Sequence, residues 1–288
     1  MTAAVHVIGA GGRSGLALVR ALLEQGTPVQ PVVRDVARWR AVAPAASELL
    51  APPRMADLQD AEAMRAALAG AARIVSTAHA RHTAALLAAA PAAARLVLLG
   101  STRRFTRWPD AHGEGVRAGE AALLGSGRPG VMLHPTMIYG ATGENNVQRL
   151  AALLRRLPLV PLPGGGRALV QPIHQDDVTR SVLAALAIAW DGPHALVIAG
   201  PAPLAYADFV RAVAAAAGLA PPRILPVPLA PLMALAPLTA LLPGLPRVAA
   251  AEIRRLAEDK AFDIGAMSAT LGVRPIPLPA GLALTFRR

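Results

Sequence analysis

The sequence predicts an α/β protein: a doubly wound parallel sheet with a smaller C-terminal α/β lobe. Three observations carry this. Short apolar runs alternate with helically spaced segments through most of the chain. The helical segments sit between the strands, which makes neighbouring strands parallel. The first such unit holds glycines at 9, 12 and 15 between its strand and its helix. With 288 residues the chain suffices for one large domain or two small ones. The expected division is 1–190 for the sheet domain and 191–288 for the small lobe, packed on the first with a discontinuous boundary.

The first unit runs from the strand Val5–Ile8 through the turn Gly9–Gly15 into a helix of apolar spacing, Leu16 to Leu23. Each glycine of this G-x-x-G-x-x-G pattern has a physical task. Gly9 permits a sharp exit from the strand, Gly12 lets the backbone approach a pyrophosphate, and Gly15 lets the helix lie close to the sheet. The helix then points its first N–H groups and the positive end of its dipole at the phosphates. Strand before and helix after are the context that gives the pattern its meaning, and it points to dinucleotide binding, with Arg13 and Ser14 in the turn.

Pro28 to Val33 reads as a second strand ending at Arg34. An acidic residue at that place would hold a ribose 2′-OH, whereas an Arg accommodates a 2′-phosphate. Arg34, Arg38 and Arg13 form a candidate anion clamp that favours NADP over NAD; otherwise Arg34 is a solvated residue opening the next helix. Asp35 is placed to cap that helix. Glu48 to Ala51 is a weak third strand, and Asp57 faces either an adenine amino group or a turn. A helix over 60–69, a strand over 73–77, a helix over 81–90 and a strand over 95–99 follow. Arg103, Arg104, Arg107 and Trp108 leave the fifth strand in a loop, either solvated or holding an anionic substrate. Gly119 to Leu124 reads as helix, 131–134 as strand, 146–156 as helix, 161–166 as loop and 169–173 as strand. Asp176 and Asp177 open a helix to about Ile188, as a helix start or as a carboxylate pair.

In the small lobe, 195–198 reads as strand, 206–217 and 248–258 as helices and 260–263 as a short strand. The uncharged run 224–246 would suit a membrane helix in length, but its prolines at 226, 228, 231, 237, 243 and 246 interrupt every stretch of it. It is read as ordinary packing, as a lid over an apolar ligand, or as a peripheral membrane contact.

Composition narrows the classes further. There is no cysteine, which removes disulfides and thiol chemistry and suits a cytoplasmic protein. The N-terminus enters the first strand with no secretory pattern. The net charge is +11, but the basic residues are scattered and all but Lys260 are Arg. Nucleic acid is not an expected partner, no metal site is expected, and the expected partner is a small-molecule substrate.

Together these residues resemble the extended and atypical short-chain dehydrogenases/reductases, the NAD(P)-dependent epimerase/dehydratase-like group of the Rossmann superfamily. Besides the first turn, the matching segments are 97–101, His134-Pro135-Thr136-Met137-Ile138-Tyr139-Gly140, 171–178, 199–201, 255–260 and 271–273. The resemblance covers nearly the whole chain. It implies a nicotinamide cofactor lying across the strand ends, with Asp57, Leu58, Thr77, Ala78, Pro135 and Thr136 joining the glycine loop and Arg34 around it. It also implies a Ser at the end of the fifth strand, here Ser101, and a Tyr-x-x-x-Lys pair on the next helix.

That pair is absent. The tyrosines are Tyr139 and Tyr206, followed four residues on by Gly143 and Val210. The family's Tyr position falls on His112 and its Lys position on Val116, while His134 stands where the family usually has an Arg. A histidine suits proton transfer near neutrality, so His112 is the candidate acid–base group; otherwise it is a loop residue without a chemical role. Two readings follow. One is an NADP-dependent oxidoreductase or epimerase/dehydratase-like enzyme. The other is a non-catalytic nucleotide sensor or accessory protein, resembling the NmrA-like regulators and the complex I accessory subunit.

Overall fold

The computed structural model describes residues 3–140, 146–157, 159–235 and 250–286. In chain order the elements begin β1 (Val5–Ile8), α1 (Arg13–Glu24), β2 (Val29–Val33), α2 (Val36–Val42), β3 (Arg54–Met55), α3 (Ala61–Ala67) and β4 (Arg73–Ser76). Then come α4 (Thr83–Ala89), β5 (Arg95–Leu99), α5 (Ala111–Gly125), β6 (Gly130–Pro135), β7 (Ile138–Tyr139), α6 (Asn146–Leu154), β8 (Leu159–Pro163), β9 (Leu169–Val170), β10 (Ile173–His174) and α7 (Gln175–Ala187). The last are β11 (Pro193–Ile198), β12 (Leu204–Ala205), α8 (Tyr206–Ala216), β13 (Arg223–Val227), α9 (Leu229–Leu235), α10 (Ala250–Arg255), α11 (Gly265–Leu271) and α12 (Leu278–Phe286).

The chain divides into two compact units, each discontinuous. One comprises 1–135, 175–198 and 264–274; the other comprises 136–174, 199–263 and 275–288. The chain therefore crosses between units several times; the expected lobes were 1–190 and 191–288 with a discontinuous boundary. The strand β11 belongs with the sheet because it pairs in parallel with β6 along its whole length.

The first unit is built on a seven-stranded sheet in the order β11-β6-β5-β4-β1-β2-β3, parallel throughout. Strands β1 and β2 are buried at every position, as expected for a sheet covered on both faces. One core layer joins Ile8, Ile74, Leu96, Leu98 and Met132 of the strands to Met64, Leu86, Val116 and Leu123 of the helices. Burying each large side chain contributes about 1.5–3 kcal/mol relative to exposure. Chain order reverses between β1 and β4, and the crevice at the carboxyl ends there is where such sheets bind ligands.

Several expectations are corrected. The third strand is Arg54–Met55, not Glu48–Ala51, of which Leu50 makes only an isolated bridge to Val29. The helix expected from Gly119 begins eight residues earlier at Ala111, because Asp110 caps it through the Gly113 N–H at 2.8 Å. Strand β8 takes the first half of the expected loop 161–166, and a short helical turn, Gly164–Gly166, takes the second. The expected strand 169–173 is two pairs, β9 and β10, on different partners. No strand forms at 260–263; there the Phe262 N–H donates to Gln171 Oε1 and the Lys260 N–H to the Leu169 carbonyl.

The second unit uses short strand pairs, β7 with β10, β9 with β12 and β8 with β13, packed on helices. Its larger core gathers Tyr139, Val147, Ala151, Val170, Phe209, Val213 and Leu282. Gly281 must lack a Cβ, which would be driven into the Tyr139 hydroxyl. Of the uncharged run 224–246, β13 and α9 cover the first part; the rest lies outside the described residues. Among the described residues no helix is long and apolar enough to cross a membrane.

Candidate functional site

The Gly9–Gly15 turn leaves β1 and feeds α1. Gly9 holds φ +78°, where side chains are strained, and a Cβ there would stand 2.8 Å from Thr77 Oγ1. At Gly15 a Cβ would be driven into the Gly9 carbonyl. Both are demanded by the loop's own closure. Gly12 differs: its φ of −80° and ψ of 168° suit any residue, and a Cβ would meet only the Gly9 carbonyl, at 3.1 Å. The loop itself makes only a mild demand for glycine there, and the backbone at Gly12 is bare. Helix α1 opens at Gly12 without a side-chain cap and without acidic residues in its first turn. Anion binding by N–H groups needs such a terminus.

Thr77, just past β4, ties the turn down by donating its hydroxyl toward the carbonyls of Ile8 and Gly9, at 3.1 and 3.2 Å. Ser14 donates to Gln175 Oε1 at 2.9 Å, joining the starts of α1 and α7. Leu58 and Ala78 are partly buried against the sheet core. At the end of β2, Arg34 is largely exposed and lies 3.9 Å from Asp57. Asp57 accepts the Gln59 N–H, so its turn-capping role is observed. Asp35 caps α2 by accepting the Arg38 N–H. Pro135 ends β6, its carbonyl accepting the Thr102 hydroxyl at 3.2 Å. Thr136 belongs to the other unit, its hydroxyl buried without a hydrogen-bond partner among the described residues.

At the end of β5 a buried polar chain forms. The Ser101 N–H donates to His134 Nδ1 at 3.1 Å. His134 Nε2 faces Glu120 Oε2 at 2.8 Å, and Arg104 Nε stands 2.6 Å from the same oxygen. Since Nδ1 accepts, the neutral ring carries its hydrogen on Nε2, the nitrogen nearer the carboxylate, without meeting the angles of a hydrogen bond. Burial, reinforced by Arg104, holds the His134 imidazole down to about 4. Burial pushes the Glu120 carboxyl up, and Arg104 pulls it back. Gly100 is required beside this ring, because a Cβ would be driven into His134 Nδ1. The set Ser101–His134–Glu120 has the residue types of a hydrolase triad but not the order. His134 meets the Ser101 peptide N–H, while the Ser101 hydroxyl accepts from the Arg103 N–H at 3.2 Å. No base is thereby aimed at that hydroxyl.

The arginine cluster after β5 is partly neutralised by the protein. Arg103 Nε bonds Asp110 at 3.0 Å, and Arg104 pairs with Glu120. These two are structural ties, not solvated charges. His112 lies in the first turn of α5, not in a loop, and its ring meets that of His79 edge-to-face with centroids 4.3 Å apart. Arg103 links the two chemical candidates, its N–H on Ser101 and its guanidinium on the α5 cap Asp110. Val116, at the family's lysine position, is buried in the core. Neither tyrosine serves as a replacement: Tyr139 is a core residue, and burial pushes Tyr206 up to about 12. Lys260 spends its ammonium on the carbonyls of Glu258, at 3.1 Å, and Arg255. His79 was missed from the sequence. The one available signal was its position just past a sheet strand at the switch point.

Residues 9–122 match a family described as NAD(P)H-binding. No curated protein matches the chain by sequence. Among solved structures, the NADPH-dependent quinone oxidoreductase QOR2 of Escherichia coli, complexed with NADPH, is similar at TM-score 0.75 and 17% identity, over 98% of this chain and 100% of that one. MoeE5 in complex with UDP-glucose and NAD is similar at 0.72 and 19%, over 98% and 97%. The UDP-glucose 4-epimerase of Thermus thermophilus in complex with NAD is similar at 0.70 and 18%, over 98% and 97%. The protein thus has the Rossmann α/β fold that these three NADPH- or NAD-bound structures share. Its first part carries an NAD(P)H-binding domain, and the resemblance to the atypical short-chain dehydrogenases/reductases extends to the fold of the chain.

Proposed function

We propose that the protein is an NADP-dependent oxidoreductase, or an epimerase/dehydratase-like enzyme, that works without a Tyr-x-x-x-Lys pair. The observation carrying this is His112 in the first turn of α5, its ring against that of His79 just past β4; the family resemblance assigns this position to the proton donor. The cofactor, when bound, supplies hydride transfer. The chain's own residues do the rest. Gly9, Gly12, Arg13, Ser14 and Gly15, with the α1 terminus, receive the pyrophosphate. Arg34 favours a 2′-phosphate; its exposed pairing with Asp57 is worth about 0–1 kcal/mol and is easily exchanged. Thr77, Ala78, Leu58, Asp57 and Pro135 line the remaining cofactor path. The loop after β5 is held by the His134–Glu120–Arg104 chain, which takes up the Ser101 N–H and leaves the Ser101 hydroxyl hydrogen for a substrate oxygen. His112 gives or takes the proton.

Val116 favours a second reading, a protein that holds the nucleotide without turning it over, because the lysine position is apolar and buried. One assay separates the two. NADPH absorbance is followed against a panel of quinones, aldehydes and UDP-sugars, the first and last chosen from the substrates and ligands of the similar structures. Consumption with any of them supports the enzyme. Tight NADPH binding with no consumption supports the sensor.

A further inference from the structure

His112 does not act from α5 alone. Its partner His79 follows β4 and comes from the segment that α5 packs on. Two glycines create that closeness. A Cβ at Gly115 would lie 3.0 Å from both His79 Cε1 and Arg81 Cβ, and one at Gly119 would be driven into the Ala80 carbonyl. Helix α5 therefore rests its bare backbone on 79–80, and this sets one ring against the other.

The state of His79 follows from its bonds. Its Nδ1 accepts the Arg81 N–H at 3.0 Å, so the neutral ring carries its hydrogen on Nε2. That Nε2 is buried without a hydrogen-bond partner among the described residues. The neighbours that lower the ring's proton affinity are basic: His112 from α5, Arg81 and His82 from its own turn, and Arg103 from the turn after β5. Burial first, and these neighbours next, hold the His79 imidazole down to about 4. The His112 ring in contact with it is thus one of the groups that keep His79 neutral.

We propose that His79 and His112 form a one-proton couple standing in for the missing tyrosine–lysine pair, with His112 carrying the exchangeable proton and neutral His79 positioning it. The inference rests on the oxidoreductase reading. A phenol needs a cation beside it to work near neutrality, and an imidazole does not. Its companion has only to fix the ring and keep a second charge away. In the reducing direction a bound NADPH would supply the hydride for the carbonyl carbon and be left as NADP+. The carbonyl π pair moves to oxygen, and His112 gives that oxygen its N–H proton. The ring then regains a proton from solvent, and His79 neither gains nor loses one.

The test begins without cofactor or substrate. Histidine side chains are titrated by nuclear magnetic resonance from about pH 3.5 to 8 in the unmodified protein and in His112→Gln. His79 titrates near about 4 in the first and at higher pH in the second, only partly restored because burial remains. A His79 midpoint unmoved by His112→Gln overturns the couple. The second arm uses any carbonyl the protein reduces. His79→Gln keeps an acceptor for the Arg81 N–H, and His79→Asn replaces it if that variant fails to fold. The variant lowers kcat about tenfold, moves the pH profile and leaves the KM for NADPH unchanged. The double variant is no slower than His112→Gln alone; losses that multiply overturn the positioning role. If no carbonyl is reduced, the oxidoreductase reading fails and the titration alone decides the couple.

Discussion

The two ends of the crevice are built by opposite means. At the glycine turn side chains are withheld: Gly9 and Gly15 close the loop backbone on backbone, and Gly12 stays bare. At the ends of β4 and β5 side chains fill the space, in the chain Arg104–Glu120–His134 and the pair His79–His112. The first end depends on sterics and on N–H groups that never titrate. The second depends on protonation and on contacts between distant residues. The first should therefore respond to added atoms and ignore pH, and the second the reverse.

The largest effect is expected from Gly15→Ala. Its methyl collides with the Gly9 carbonyl and has no room to relax, so a loss of about 3 kcal/mol or more is expected. Gly12→Ala meets one atom at 3.1 Å and should leave the melting temperature within a few degrees while weakening NADPH binding at least about tenfold. Thermal melts and calorimetry on the two variants check this. A Gly12→Ala protein that melts early but binds normally would reverse the roles assigned to the two glycines.

Acid comes next and probes the other end. His134 is lowered from 6.5 to about 4 when folded, so the unfolded chain binds the proton first. Its contribution is fully present above pH 6.5 and is lost as pH falls from there to about 4, by at most about 3 kcal/mol. His79 acts in the same direction. Glu120, raised by burial, offsets part of the loss as it takes up its proton. Urea melts from pH 7 to about 4 should show this slope, and His134→Gln should flatten it. An equal slope in both proteins would mean that His134 is not held neutral.

The smallest effect concerns Arg34, which is exposed. Arg34→Ala should reduce the preference for NADPH over NADH about tenfold, read by calorimetry with both cofactors. Equal affinities in the unmodified protein would remove the role of Arg34.

This contrast also explains what was legible in the sequence. The glycine turn could be read because its reasons are local: Gly9, Gly12 and Gly15 act on one another and on the helix they begin. Asp35 as a cap was legible for the same reason. The start of α5 was not, because Gly113 and Gly115 look like helix breakers. With Gly119 they serve close packing, Gly113 on the Arg103 carbonyl, Gly115 on His79 and Gly119 on the Ala80 carbonyl. The short β3 has no apolar period to detect, and its pairing with β2 is a tertiary fact. His79 meets His112 only because the fold brings a loop and a helix together, and nothing local announces it.

The most direct test of the account is the pH dependence of NADPH consumption, with the best substrate of the panel, in the unmodified protein and in His112→Ala. The account predicts that the substitution slows turnover by about 10²–10⁴-fold, removes a pH dependence of histidine type and leaves NADPH affinity nearly unchanged. Full activity with an unchanged profile in His112→Ala would contradict it.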